Sequence, residues 1–323
     1  MTRSPTGSLP GEQGTTAGPP AAAAVSASDG AVLFGLPFLL ATSWALPEGA
    51  WPRFCGAVAR VAVPMLSADP AATAAVIQRT LGARAADLPP ERVLERLSGE
   101  RILAILQLLR SYRPGGWNPR IRLSGTEHLE AALARGRGAI LWIGMTVYAD
   151  LVAKMAFHRA GFEVSHLSRA SHGFSESRFG ARCLNPVQTR VEDRFLRQRV
   201  SLSTLGSRAA LARLEARLAE NGVVSVTVHR TARRPVAAPF LDGEIVLAPG
   251  AAVLAQRSGA ALLPVFAWRD EDEGLTVAIE APLVVGTDGD GRVLAEAVVR
   301  DYAARLVPQV LSRPGQWTGW LHL

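Results

Sequence analysis

Residues 135–150, RGRGAILWIGMTVYAD, decide how this chain folds. Within them, 139–144 is an almost unbroken apolar run, long enough for a buried strand and too short for a helix. Gly144 interrupts it, and residues 145–159 take up helical periodicity, with Val147, Leu151, Val152, Met155 and Ala156 at the apolar positions. The pattern predicts strand, glycine turn, helix, with Asp150 in the first turns of that helix. Open α/β proteins place their chemistry at the C-terminal ends of such strands.

Working outward, the same alternation continues. A short extended piece at 121–123 and a helix at 126–135 come before the decisive strand. After it come a strand at 162–168, an arginine-rich segment, a helix at 207–220 and a strand at 223–228. Pro249 starts a further helix that Gly259 ends. Strands at 261–266 and 275–280, a helix at 293–311 and the tail RPGQWTGWLHL complete the chain. This order predicts an α/β fold, a mostly parallel central sheet flanked by helices.

Upstream the composition changes twice. Residues 1–30, rich in Gly, Pro, Ser, Thr and Ala and lacking apolar periodicity, read as disordered. Residues 31–46, AVLFGLPFLLATSWAL, carry no charge but fall short of the ~20 residues a spanning helix needs. A segment at 31–47 lying in one leaflet, with Trp44 and Trp51 at the interface, fits that length. Residues 48–120 read as a helical region, in which Asp69 caps a helix starting at Pro70 and Leu88-Pro89-Pro90 breaks before the next. The glycines and prolines of 113–119 mark its boundary with an α/β domain at 121–323.

The 323 residues carry a net charge of +7, and Lys154 is the only lysine. Cys55 and Cys183 lie far apart with no paired spacing, which argues against a cysteine-based zinc site. Parallel topology would gather Gly144-Met145, Arg169 to His172, His229-Arg230 and Trp268-Arg269 at one sheet edge. Two imidazoles, His172 and His229, therefore fall near Asp150, whereas His158 lies too far along the expected helix. Between 167 and 234 there are thirteen arginines against five acidic residues. Arg178, Arg182, Arg190, Arg194, Arg197 and Arg199 are dense enough to suggest phosphate forks. No aromatic platform or nucleic-acid-binding motif accompanies them, which argues against a nucleic-acid partner.

Residues 145–150 resemble the His-x4-Asp motif of the lysophospholipid acyltransferase superfamily, most closely that of the bacterial lipid A late acyltransferases. The resemblance extends through residues 239–266, similar to their third block, and through the tail, similar to a Pro-x-Gln-Trp-x-Trp ending. Asp150 stands at the carboxylate position, but Met145 replaces the histidine, and a thioether cannot serve as a general base. His229-Arg230 stands where the family carries an aspartate, and Arg199 where it places an important arginine. The resemblance implies a membrane-associated acyltransferase on the cytoplasmic face of a bacterial inner membrane, peripheral or monotopic. It would take an acyl carrier protein or coenzyme A thioester as donor and a hydroxyl or amine of a lipid-like acceptor, with no metal or other cofactor. In that reading Asp150, with His229 or His172 supplying the imidazole, is catalytic, while Arg199, Arg182, Arg178 and Arg230 bind phosphate. The alternative is an inactive protein of the same fold that binds lipid or a partner enzyme.

Overall fold

The computed structural model describes residues 23–66, 69–169, 172–230, 232, 234–272, 274–289 and 293–323. Helices lead: α1 (Ala27–Ala45), α2 (Trp51–Leu66), α3 (Pro70–Leu81) and α4 (Pro90–Arg110). Asp69 caps α3 as expected, its carboxylate accepting from the Ala72 amide at 2.9 Å. Trp51, Cys55 and Ala59 of α2 pack on Ile102, Leu103 and Leu106 of α4. Helix α1 starts at Ala27, inside the segment expected to be disordered, while residues 1–22 of that segment lie outside the described residues. Asp29 accepts from Ser175 Oγ at 2.5 Å and Ser177 Oγ at 2.7 Å, which clasps α1 to the body of the protein. Those hydroxyls, Ser175 foremost, pull the Asp29 carboxyl down to about 2. Leu33, Phe34, Phe38 and Trp44 of α1 stay exposed. Among the described residues, no helix is long and apolar enough to cross a membrane.

The alternating region runs β1 (Ile121–Ser124), α5 (Thr126–Ala134), β2 (Ala139–Ile143), α6 (Leu151–Arg159) and β3 (Val164–Ser168). It continues with a π-turn (Gly180–Leu184), α7 (Asn185–Glu192), β4 (Gln198–Ser201), α8 (Leu202–Ala219) and β5 (Val223–Thr227). A hairpin, β6 (Val236–Phe240) and β7 (Gly243–Leu247), comes before α9 (Gly250–Ser258), β8 (Ala261–Arg269), β9 (Leu275–Ile279) and α10 (Ala295–Ser312). The sheet order is β1-β9-β8-β2-β5-β3-β4. Strands β8, β2, β5, β3 and β4 run parallel, and β9 turns antiparallel to β8, with β1 parallel to β9 at the edge. This is the α/β architecture the alternation predicts.

Strand β2 sits inside the sheet, between β5 and β8. Its alternate residues serve opposite cores, as a two-residue period requires. Ala139, Leu141 and Ile143 pack with α5 and α6, while Ile140 and Trp142 pack with α8, α9 and α10. Gly144 follows because nothing larger fits: a Cβ there would lie 2.9 Å from Phe266 Cδ1 and 3.2 Å from the Tyr302 hydroxyl.

The helix expected over 145–159 is shorter, beginning at Leu151. Residues 145–150 are drawn out of helical geometry by the tail. The Val147 amide donates to the Gln316 carbonyl at 2.9 Å, the Thr318 amide donates to the Met145 carbonyl at 2.9 Å, and Thr146 bridges Trp317. Tyr148 donates its hydroxyl to Glu100 of α4, which also holds Arg269 from the end of β8. Tertiary bonds here outweigh a local apolar period. Helix α8 likewise begins earlier than expected, at Leu202, and is broken at Gly206, whose φ of 75° is left-handed.

Candidate active site

A cavity of about 730 Å³ opens at the C-terminal ends of β2, β5 and β3, where an open parallel sheet offers a crevice. Met145, Thr146 and Asp150 line it from the β2 side, Arg169 from β3, and Thr227, His229 and Arg230 from β5. Thr318 and His322 of the tail close the opposite wall. Most of the convergence expected from topology is therefore present. Trp268 is instead packed in the core, Arg269 is turned away to pair with Glu100, and His172 stands beside Asp150 without lining the cavity.

Asp150 stands just before α6, at its N-cap position, with its side chain 38% exposed. Behind it, Asp150, His172 and Glu192 present ligand atoms within 4.8 Å of one another. Glu192, at the end of α7, is wholly buried and accepts from Lys154 Nζ at 2.7 Å and Arg199 Nη2 at 2.8 Å. His172 Nε2 lies 2.9 Å from the same carboxylate. A carboxylate only accepts, so Nε2 carries a proton and donates it. Burial works against charge on Glu192, but Lys154, His172 and Arg199 overcome it and hold the carboxyl well below the usual range. For His172, burial is outweighed by Asp150 and Glu192, and its pKa rises. This trio has the donor types of a metal site, yet Lys154 Nζ stands 2.7 Å from Glu192 and 3.8 Å from Asp150. Fixed cations thus already occupy the electrostatic role a metal would take.

The remaining candidates separate. His229 Nδ1 faces Arg169 Nη2 at 2.9 Å. Because arginine only donates, Nδ1 accepts, and its lone pair is engaged by a guanidinium rather than offered as a base. His172 is therefore the imidazole that the fold brings to Asp150, while His229 is a cavity-wall group. Arg230 lines the cavity. Arg199 instead points inward, donating to Glu192, to Asp193 at 2.6 Å and to Ser168 Oγ at 3.1 Å. Arg178 and Arg182 are exposed on the segment beside α1, away from the cavity.

Sequence reasoning missed three participants. Glu192 is one acid in an arginine-rich segment, and nothing in its spacing marks it as the hub of a buried network. His166, on β3, is buried with Nδ1 2.8 Å from Ser225 Oγ, and burial, then Lys154 and His172, push its pKa well below 6.5. His322 enters through the tail, and partial burial, Arg230 and Arg101 keep it below its ordinary value. The strand read over 162–168 contained His166 but assigned it no role.

The family model for bacterial lipid A biosynthesis acyltransferases matches residues 28–323. The chain is also similar to phosphatidylinositol mannoside acyltransferases of Mycobacterium tuberculosis, strains ATCC 25618 / H37Rv and CDC 1551 / Oshkosh. With each it shares 28% identity over 202 residues, 60% of this chain and 57% of the relative, so the match spans little more than half of those proteins. With a match that runs through the α/β sheet, the motif loop and the closing tail, the chain belongs to the bacterial lipid A biosynthesis acyltransferase family.

Proposed function

We propose that the chain transfers an acyl group from a thioester, on coenzyme A or an acyl carrier protein, to a hydroxyl or amine of a lipid-like acceptor. The observation that carries this reading is Asp150, which opens onto the cavity with His172, Glu192 and Lys154 packed behind it. In the step itself, the acceptor's oxygen or nitrogen bonds to the acyl carbon and the carbon–sulfur bond breaks. The acceptor's proton passes to Asp150, and the sulfur leaves as a thiolate that recovers a proton. His172 shares that proton load through its position beside Asp150. An amine acceptor requires less help, being nucleophilic already. Arg169 and Arg230 on the cavity wall suit a phosphate-bearing donor. The name of the mycobacterial relatives puts a phosphoinositol glycolipid among the acceptors worth testing.

The exposed apolar stripe of α1, with Arg178 and Arg182 nearby, suits a bilayer interface with anionic headgroups. We place the protein there, on the cytoplasmic face, as a peripheral or monotopic enzyme.

Met145 favours a second reading, a binding protein without turnover. The deciding experiment is acyl transfer by purified wild type, Asp150→Asn and Met145→His, with acyl-CoA donors and with hydroxyl and amine acceptors. The expected result is a wild type that turns over and an Asp150→Asn variant slowed by ~10²–10⁴-fold, the usual worth of a general base. A silent wild type in which Met145→His restores transfer establishes the second reading instead.

A further inference from the structure

Residues 145–150 carry Asp150 but form neither helix nor strand, so what fixes them comes from other elements. The tail holds two of their backbone groups, and Thr146 Oγ1 donates to the Ala267 carbonyl of β8 at 2.7 Å. The remaining anchor is a run of side chains outside the cavity. Tyr148, two residues before Asp150, is 1% exposed and turns toward α4, while Asp150 faces the cavity. The Tyr148 hydroxyl donates to Glu100 Oε2. Arg269, at the end of β8, donates to the same oxygen from Nε at 3.0 Å and to Oε1 from Nη2, which closes a two-point fork. Arg269 is itself fixed by Gln316, whose side chain bonds its backbone amide and carbonyl. One carboxylate on α4 thus ties the motif loop to the end of β8, across 48 residues on one side and 169 on the other.

Stability does not by itself call for this arrangement. A phenylalanine at position 148 would bury the same ring, and a buried ion pair replaced by apolar residues is often neutral or stabilising. Nor does the pair fill its space: a cavity of about 140 Å³, lined by Glu100 and Arg269 together with Pro52, Cys55 and Gly99, remains beside it. What a hydrogen-bonded carboxylate supplies and a packed ring does not is direction, because the hydroxyl bond and the guanidinium fork are both restricted in angle. Burial first, and then Glu100, holds the Tyr148 hydroxyl protonated, its pKa well above 10, so it donates throughout the neutral range. We propose that Tyr148, Glu100 and Arg269 are positioning residues that set where Asp150 stands in the cavity. This rests on the acyltransferase reading given above. Arg269 then serves the site without entering it.

The test uses Tyr148→Phe, which keeps the ring and removes the hydroxyl, in the full chain with an acyl-CoA donor. Because a misplacement of about 1 Å can cost ~10²-fold in rate, kcat is expected to fall about 10- to 100-fold with KM changed less than about twofold. The pH profile of kcat should shift as well, since a displaced Asp150 changes its distance from Lys154 and His172. Independently of activity, hydrogen exchange read by mass spectrometry should be at least about tenfold faster over residues 145–150 in the variant and unchanged over α9. Added to Glu100→Gln, Tyr148→Phe should deepen the loss in kcat by less than about twofold, because two members of one connection do not add. If Tyr148→Phe does not fold, Arg269→Lys, which keeps the charge and gives up the fork, is measured in the same way with the same expected outcome. A variant with wild-type kcat and wild-type exchange overturns the positioning role and leaves the acyltransferase reading intact. A lowered urea midpoint with kcat unchanged overturns it too, making the triad structural alone. Faster exchange over 145–150, beside a wild type that transfers nothing, keeps the anchor and defeats the acyltransferase reading.

Discussion

At the scale of single residues, Met145 and Glu192 carry opposite lessons. Met145 is visible in the sequence as a departure from the family motif, and the structure shows what remains around it: Asp150 at the cavity, with an imidazole behind rather than in front. His172→Ala should therefore slow transfer and also move its pH profile, since it takes away the proton-bearing neighbour of Asp150. A His172→Ala enzyme with an unchanged profile would remove it from the proton path. Glu192 was not legible, because one acid among arginines gives no periodic signal, and its importance comes entirely from three-dimensional neighbours. Lys154, 1% exposed, and Arg199, 14% exposed, both depend on it for compensation. Replacing it by Gln leaves Lys154 with only Asp150 at 3.8 Å and Arg199 with only the half-exposed Asp193, and removing one partner of a buried pair typically costs ~3–5 kcal/mol. Urea denaturation of Glu192→Gln should show a loss of that size, and a loss under 1 kcal/mol would mean the network contributes little to the fold.

Among the elements, the tail is the part whose role the sequence could name but not explain. Its resemblance to a family ending was readable; its grip on the motif loop was not, since the partners lie about 170 residues apart. Gln316 accepts from the Arg269 amide at 2.8 Å and donates to the Arg269 carbonyl at 2.9 Å, while its own carbonyl receives the Val147 amide. Gln316→Ala leaves two backbone groups of Arg269 without their partner, at about 1–3 kcal/mol each. The loosened loop should lower kcat more than it raises KM, which steady-state kinetics will resolve; unaltered kcat would reduce the tail to packing alone. Helix α1 makes a prediction of its own. Phe34→Glu with Phe38→Glu places two charges on its exposed stripe, and co-sedimentation with anionic vesicles should fall several-fold without loss of melting temperature. Vesicle binding that persists would take α1 out of the interface. The strands read most accurately were those with unbroken apolar runs. Strand β4 was missed because it is four residues long and half polar, and the hairpin β6–β7 because Pro239 and Gly243 interrupt its short apolar runs.

For the whole molecule, burial of ionisable groups sets the response to pH. His166 is held neutral, its folded pKa depressed well below 6.5. The unfolded chain therefore binds a proton below about pH 6.5 that the native state refuses, and stability falls as pH drops through that range. His172 acts in the opposite sense, its raised pKa giving stability below 6.5 that is lost as pH rises through the folded value. Wild type should thus lose stability relative to His166→Gln between pH 7 and pH 5, read from urea midpoints; parallel curves would show that His166 titrates normally. The overall architecture was legible because strand–helix alternation is a local signal repeated along the chain. The clasp on α1 belongs to another order of distance. Asp29 is 146 residues from Ser175, and at synthesis rates of about 5–20 residues per second that partner arrives roughly 7–30 s later. Through that interval the leading helix has neither the clasp nor, until α4 is made, the body it rests on. A nascent chain of this protein therefore presents Phe34 and Phe38 to the ribosome surface, to chaperones or to lipid well before any catalytic group exists. Where the protein settles in the cell can be decided during translation, ahead of folding.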